Sequence, residues 1–294
     1  MTTHEVRAPD GRTLAVLEAG DPAGPAIVAH HGSPGAGRFY RTEVESAHER
    51  GLRLIAYDRP GFGGSSPHEG RVVADAAVDV AAILDALGVE RFATYGSSGG
   101  GPHALACAAL LGGRCAAAAT LAGVGPADAP DLDWMDGMGE GNQAEFGAAR
   151  EGRERLRAHL EADRDGIMAV AREQLIDAMR PHLSAVDARA LTGELAEFLL
   201  GSFRTGLALG VEGWVEDDLA FTSPWGFDVG SIDVPVLVWQ GDEDVMVPAA
   251  HGDWLRHHLP TAEGDALAGE GHLTLFVRRM GDVHAWLARA LGTP

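Results

Sequence analysis

Through its first 120 residues the chain alternates short apolar runs with amphipathic stretches. "THEVRAP" and "RTLAVLEAG" flank Asp10-Gly11, which predicts two strands joined by a hairpin turn. "PAIVAHHG" and "LRLIAYD" are continuous apolar runs of buried-strand length, the first ending in a glycine turn and the second at Asp58. In "VVADAAVDVAAILDALG", residues Val73, Ala77, Val80, Ile83, Leu84 and Leu87 fall on one helical face, and Gly88 stops the helix. "RFATYG" predicts the next strand. It is followed by a corner at Ser97-Ser98, a helix to Gly112 and a further strand, "CAAAATLAG".

From about Gly125 to Trp225 the period becomes helical throughout. "QAEFGAAREGRERLRAHLEAD", "RDGIMAVAREQLIDAMR" and "DARALTGELAEFLLGSF" predict three helices, with Pro181 breaking between the last two. A buried strand returns in "VPVLVWQGDEDVMVP". A helix through "AAHGDWLRHHL", a short strand in "AEGDALA" and a terminal helix through Trp286 follow. Alternating strands and helices predict an α/β fold with a mostly parallel sheet. The expected layout is one core, residues 1–124 and 226–294, interrupted by a helical cap over 125–225.

Composition narrows the chemistry. The chain has 294 residues, 46% hydrophobic and 22% charged, as expected of a globular protein with a sizeable core. Its net charge of −20 would repel phosphate backbones and anionic bilayers, so neither nucleic acid nor membrane is an expected partner. Every fixed cation is arginine. The absence of lysine excludes a Schiff-base mechanism and a Walker phosphate loop. Cys107 and Cys115 lack the spacing of a metal or redox pair and read as small buried thiols. No metal or organic cofactor is expected. The N-terminal stretch lacks a signal-peptide layout, and Arg114 divides the longest apolar run. The expectation is a cytoplasmic protein acting on a small molecule, and the composition is compatible with a homo-oligomer.

The corner itself carries the strongest signal. Gly96-Ser97-Ser98-Gly99-Gly100 fits G-x-S-x-G, in which a serine sits on a sharp strand-to-helix turn. Side chains at Gly96 or Gly100 would collide with neighbouring backbone. The middle position makes Ser98 the candidate nucleophile and Ser97 its structural neighbour. A serine alcohol needs a base. Of 13 histidines, His257 and His258 lie on a polar helix face, His251 near the start of that helix, and His159 and His182 in the helical insertion. His272 instead follows "GEG" after the last strand, in a loop that can reach the corner. An acid should orient it, and "DEDVMVP" offers Asp242, Glu243 and Asp244; Asp244 is favoured, with Asp242 in reserve. Two N–H groups should face the oxyanion. Gly99 supplies one, and Ser33 in "HHGSPG" the other, with His31 bracing that loop.

In their order Ser98, Asp244, His272, and in "HHGSPG", "YDRPGFGGSS", "GSSGG", "GDEDVMVP" and "GEGH", the chain resembles the α/β-hydrolase superfamily over nearly its whole length. The resemblance implies an eight-stranded core sheet and a helical lid. It also implies that "DRPGFGGS" is a structural loop, leaving Asp58 and Arg59 outside the catalytic set. The expected activity is hydrolysis of a small, mostly apolar ester or lactone. Some of Trp134, Met135, Met138, Phe146, Phe203, Trp214, Phe221 and Trp225 are expected to line the pocket. C–C hydrolases, cofactor-free perhydrolases and hydroxynitrile lyases use the same triad and stay open. Iminopeptidases resemble a pattern with tryptophan after the nucleophile, where this chain has Gly99. Two further readings carry less. "GGGPHA" fits a dinucleotide-loop spacing, but the following strand ends without an acid and Pro102 interrupts it. A hydrolase fold kept only for binding would not need all three triad residues.

Overall fold

A computed structural model describes residues 1–292. The strands are β1 (Thr2–Arg7), β2 (Thr13–Gly20), β3 (Ala26–His30), β4 (Arg53–Tyr57), β5 (Phe92–Ser97), β6 (Cys115–Leu121), β7 (Val236–Gly241), β8 (Ala262–Glu263) and β9 (Ala266–Leu267). They form one sheet in the order β1-β2-β4-β3-β5-β6-β7-β8, with β9 also paired to β7. The β1–β2 hairpin and the β2–β4 pair are antiparallel. Every other pair is parallel. The expected eighth strand is split into β8 and β9, and Gly264 between them has φ +103, which turns the chain out of an extended path.

The helices are α1 (Arg41–Glu49), α2 (Asp75–Ala86), α3 (Gly100–Leu110), α4 (Glu140–Glu151), α5 (Arg153–Ala169), α6 (Arg172–Met179), α7 (Ala185–Ala190), α8 (Gly193–Gly206), α9 (Glu212–Phe221), α10 (Ala249–His258) and α11 (His272–Ala290). Side chains alternate across a strand, so each strand feeds two cores. Val28, Ile55, Phe92 and Val236 pack with Val80, Ile83 and Leu84 of α2 and Leu105 of α3 on one face. Ile27, Leu54, Ala93 and Leu237 pack with Met280, Val283 and Leu287 of α11 on the other. Burial of both faces explains why these strands read as unbroken apolar runs. Cys107 and Cys115 are free and buried.

Residues 125–225 hold α4–α9, inserted between β6 and β7. Their boundaries differ from the periodic pattern. "QAEFGAAREGRERLRAHLEAD" is cut at Gly152 (φ +115) into α4 and α5, and α5 then runs on through Ala169. "DARALTGELAEFLLGSF" is cut into α7 and α8, where the Thr192 hydroxyl caps the second helix by accepting from the Leu195 N–H. Pro181 sits in a single 3₁₀ turn, Arg180–His182. One apolar cluster of this segment joins α4, α5 and α9 to Phe62, and another joins α6, Leu191 and α8 to Tyr40 and Leu273. Among the described residues no helix is long and apolar enough to cross a membrane.

Gly152 has no neighbour within 4 Å of a built Cβ, so only its backbone conformation needs glycine. Gly152→Ala should therefore destabilise the protein by about 1–3 kcal/mol, read as a lower denaturant midpoint. An unchanged midpoint would mean that the α4–α5 break does not hold in solution.

Candidate active site

The parallel strands deliver their C-terminal ends to one edge, and the loops leaving β3, β4, β5 and β7 all start there. At the end of β5 the chain reverses within one residue. Ser98 has φ +54, the left-handed region that side chains disfavour. The Ser98 N–H donates to the Leu121 carbonyl at 2.8 Å, and its own carbonyl accepts the Gly101 N–H at 2.9 Å. A Cβ on Gly96 would lie 2.0 Å from the Gly100 carbonyl oxygen, and one on Gly100 would lie 2.2 Å from that of His30. Strand, helix and the β3 end therefore meet too closely for any side chain at either glycine.

His272 is the first residue of α11, and its Nδ1 lies 2.8 Å from Asp244 Oδ2. Asp244 is held in turn: its Oδ1 accepts the N–H groups of Met246 (2.8 Å) and Val247 (2.9 Å). Asp242 and Glu243 are exposed, and Asp242 accepts instead from the Gly269 N–H. Burial disfavours a charged His272 ring, but the charge and hydrogen bond of Asp244 outweigh it and raise the pKa above the ordinary 6.5.

Ser98, His272, Gly32 and Ser33 line one cavity of about 150 Å³. Its wall is otherwise mainly apolar, with Met179, Phe198, Leu199, Phe203, Leu273 and Phe276. A Cβ on Gly99 would stand 3.0 Å from Ser33 Cβ, so the two expected oxyanion residues are neighbours. Of the eight large side chains of which some were expected at the pocket, Phe203 lines it. Trp134, Met138, Phe146, Phe221 and Trp225 are buried in the main core, against which Met135 packs; Trp214 fills the cluster under α5. Helical periodicity shows which face is apolar, not whether a core or a cavity lies opposite.

A family model described as the alpha/beta hydrolase fold matches residues 25–278. The chain belongs to the α/β-hydrolase family. Similar proteins include a non-heme haloperoxidase of Rhodococcus erythropolis, 28% identical over 84% of each chain. An epoxide hydrolase A of Mycobacterium tuberculosis is 31% identical, but over only 38% of this chain and 36% of that protein. A thermophilic esterase from Thermogutta terrifontis shares the fold with a TM-score of 0.72 at 20% identity, covering 99% of both chains.

Within this α/β-hydrolase, Asp58 and His31 hold the loops at which the sequence placed them, whereas Asp187 had no signal in the sequence. Asp58 staples its loop by accepting the N–H groups of Gly37 (2.7 Å) and Gly64 (2.9 Å), in keeping with a structural role. His31 Nδ1 lies 2.7 Å from the Gly32 carbonyl, and its Nε2 accepts the Arg59 N–H at 3.1 Å, so the ring braces its own loop. Asp187 of α7 accepts the N–H groups of His272, Leu273 and Thr274 at 2.8–3.0 Å. A buried carboxylate from the helical segment thus caps the helix that begins with His272. No motif marks Asp187; in sequence it is one acidic residue among 43.

The left-handed corner gives a direct test. Ser98→Gly should be more stable than Ser98→Ala by about 1 kcal/mol, because only alanine retains the Cβ clash of this region. Equal denaturant midpoints for the two variants would mean that residue 98 is not held at positive φ.

Proposed function

We propose that the protein is a serine hydrolase that cleaves a small, mostly apolar carboxylic ester or lactone. The observation that carries this reading is the 2.8 Å contact between His272 Nδ1 and Asp244, on a loop lining the same cavity as Ser98. Asp244 fixes the tautomer with the proton on Nδ1, which leaves Nε2 as the base. Ser98 Oγ attacks the carbonyl carbon while Nε2 takes its proton. The N–H groups of Ser33 and Gly99 receive the oxyanion. The C–O bond to the leaving alcohol breaks as the imidazolium returns the proton to it. Water, deprotonated by the same nitrogen, then releases the acid and restores Ser98.

The cavity, about 150 Å³ and mainly apolar, suits a small substrate; sites for drug-sized ligands run roughly 300–1,000 Å³. Residues 125–225 act as the cap, since α6 and α8 contribute Met179, Phe198, Leu199 and Phe203 to the wall. Ser98 argues against epoxide hydrolysis, because epoxide hydrolases carry aspartate at the corner. A second reading has one observation in its favour, the similarity to a non-heme haloperoxidase over 84% of both chains. In it hydrogen peroxide replaces water at the acyl-enzyme, and a peracid leaves in place of the acid.

Ser98→Ala should abolish hydrolysis of p-nitrophenyl butyrate and labelling by a fluorophosphonate probe; undiminished turnover would refute the assignment. Because the base must be neutral, kcat/KM should be full at high pH and fall as pH drops through a value above 6.5. Asp244→Asn should lower kcat by about three to four orders of magnitude. A pH-rate profile flat down to pH 5 would remove His272 from the mechanism.

A further inference from the structure

The loop before Ser33 rests on a buried charge cluster that the proposed reaction does not itself use. Asp217 of α9 is fully buried. Its Oδ2 lies 2.6 Å from Arg59 Nη2, and its Oδ1 lies 2.6 Å from Arg71 Nη2. It also accepts the hydroxyl proton of Ser33. Burial favours a neutral carboxyl, but the two guanidinium charges outweigh this and hold Asp217 ionised, well below the usual carboxylate range. The Ser33 hydroxyl is committed to Asp217, so Ser33 has its main-chain N–H to offer an oxyanion.

Arg59 faces two ways. One side of its fork meets Asp217. Arg59 Nη1 donates to the carbonyl of His31, and Nη2, the same nitrogen that meets Asp217 Oδ2, donates at 3.2 Å to that of Gly32. The Gly32 carbonyl is also 2.7 Å from His31 Nδ1. The Gly32–Ser33 peptide is trans. In a planar trans peptide the C=O and the following N–H point in opposite directions. Fixing the Gly32 oxygen therefore fixes the direction of the Ser33 N–H.

We propose that Arg59 and Asp217 are positioning residues that aim the Ser33 N–H at the oxyanion, so that helix α9 carries part of the oxyanion hole. This rests on the ester-hydrolase reading. Asp217 sets the Arg59 fork, Arg59 sets the Gly32 carbonyl, and the peptide plane does the rest. Arg59 and Asp217 need not touch the substrate.

The test compares wild type, Arg59→Lys and Asp217→Asn on p-nitrophenyl butyrate and on an alkyl boronic acid, which binds serine as a tetrahedral anion. Lysine keeps the charge but cannot fork to both carbonyls. Each variant should lose kcat about 10–100-fold, approaching the loss of one oxyanion donor. Boronic-acid affinity should fall in parallel. KM should stay within about twofold, and the acid limb of the pH profile should not move, because Asp244 and His272 are untouched. If one variant fails to fold, the other is read alone. An unchanged kcat, or a loss expressed in KM or in a displaced acid limb, overturns the proposal. A wild type that neither turns over esters nor takes a fluorophosphonate label overturns the ester reading, and this inference with it; an active wild type with unaltered variants overturns this inference alone.

Discussion

The close approach of β5, α3 and the end of β3 constrains everything at the site. Gly96 and Gly100 leave no room for a Cβ, and that intimacy turns the chain at Ser98 into the left-handed region. The strain is local and of order 1–3 kcal/mol. It persists because strands on both sides and a buried helix fix the corner's two ends. A hydroxyl placed this way stands clear of its own backbone, and the sheet edge brings the β3 and β7 loops alongside it.

The helical segment is more than a cover. Two of its buried aspartates reach back into the α/β core. Asp187 caps the helix that starts with His272, and Asp217 closes on Arg59, Arg71 and the Ser33 hydroxyl. Each carboxylate is surrounded by donors, as a buried charge must be to offset its desolvation. Removing Asp217 would leave the Arg59 and Arg71 charges uncompensated, and removing Asp187 would leave the first N–H groups of α11 without that acceptor, so both aspartates tie the helical segment to the core.

Much of this was legible in the residues. The apolar runs of β3–β7, the α2 face and the motif order Ser98, Asp244, His272 are local or ordered along the chain, and periodicity and turn chemistry report such features. Of the two aspartates weighed as the acid, the turn after β7 points Asp244 inward, where Met246 and Val247 offer their N–H groups, and leaves Asp242 exposed. The helix breaks at Gly152 and Thr192 were hidden because the apolar period continues across both.

What the sequence determined by itself was the α/β layering and the sharp turn at one strand–helix corner, because both follow from short-range pattern and from the sterics of a few glycines. Only tertiary structure decided which apolar side chains face a cavity and which fill the core. The same holds for which of 43 acidic residues are buried beside guanidinium groups. Asp187 and Asp217 read as ordinary surface charge along their helices. Their significance comes from contacts spanning 85 residues to His272 and 158 to Arg59, and no local pattern encodes a contact of that range.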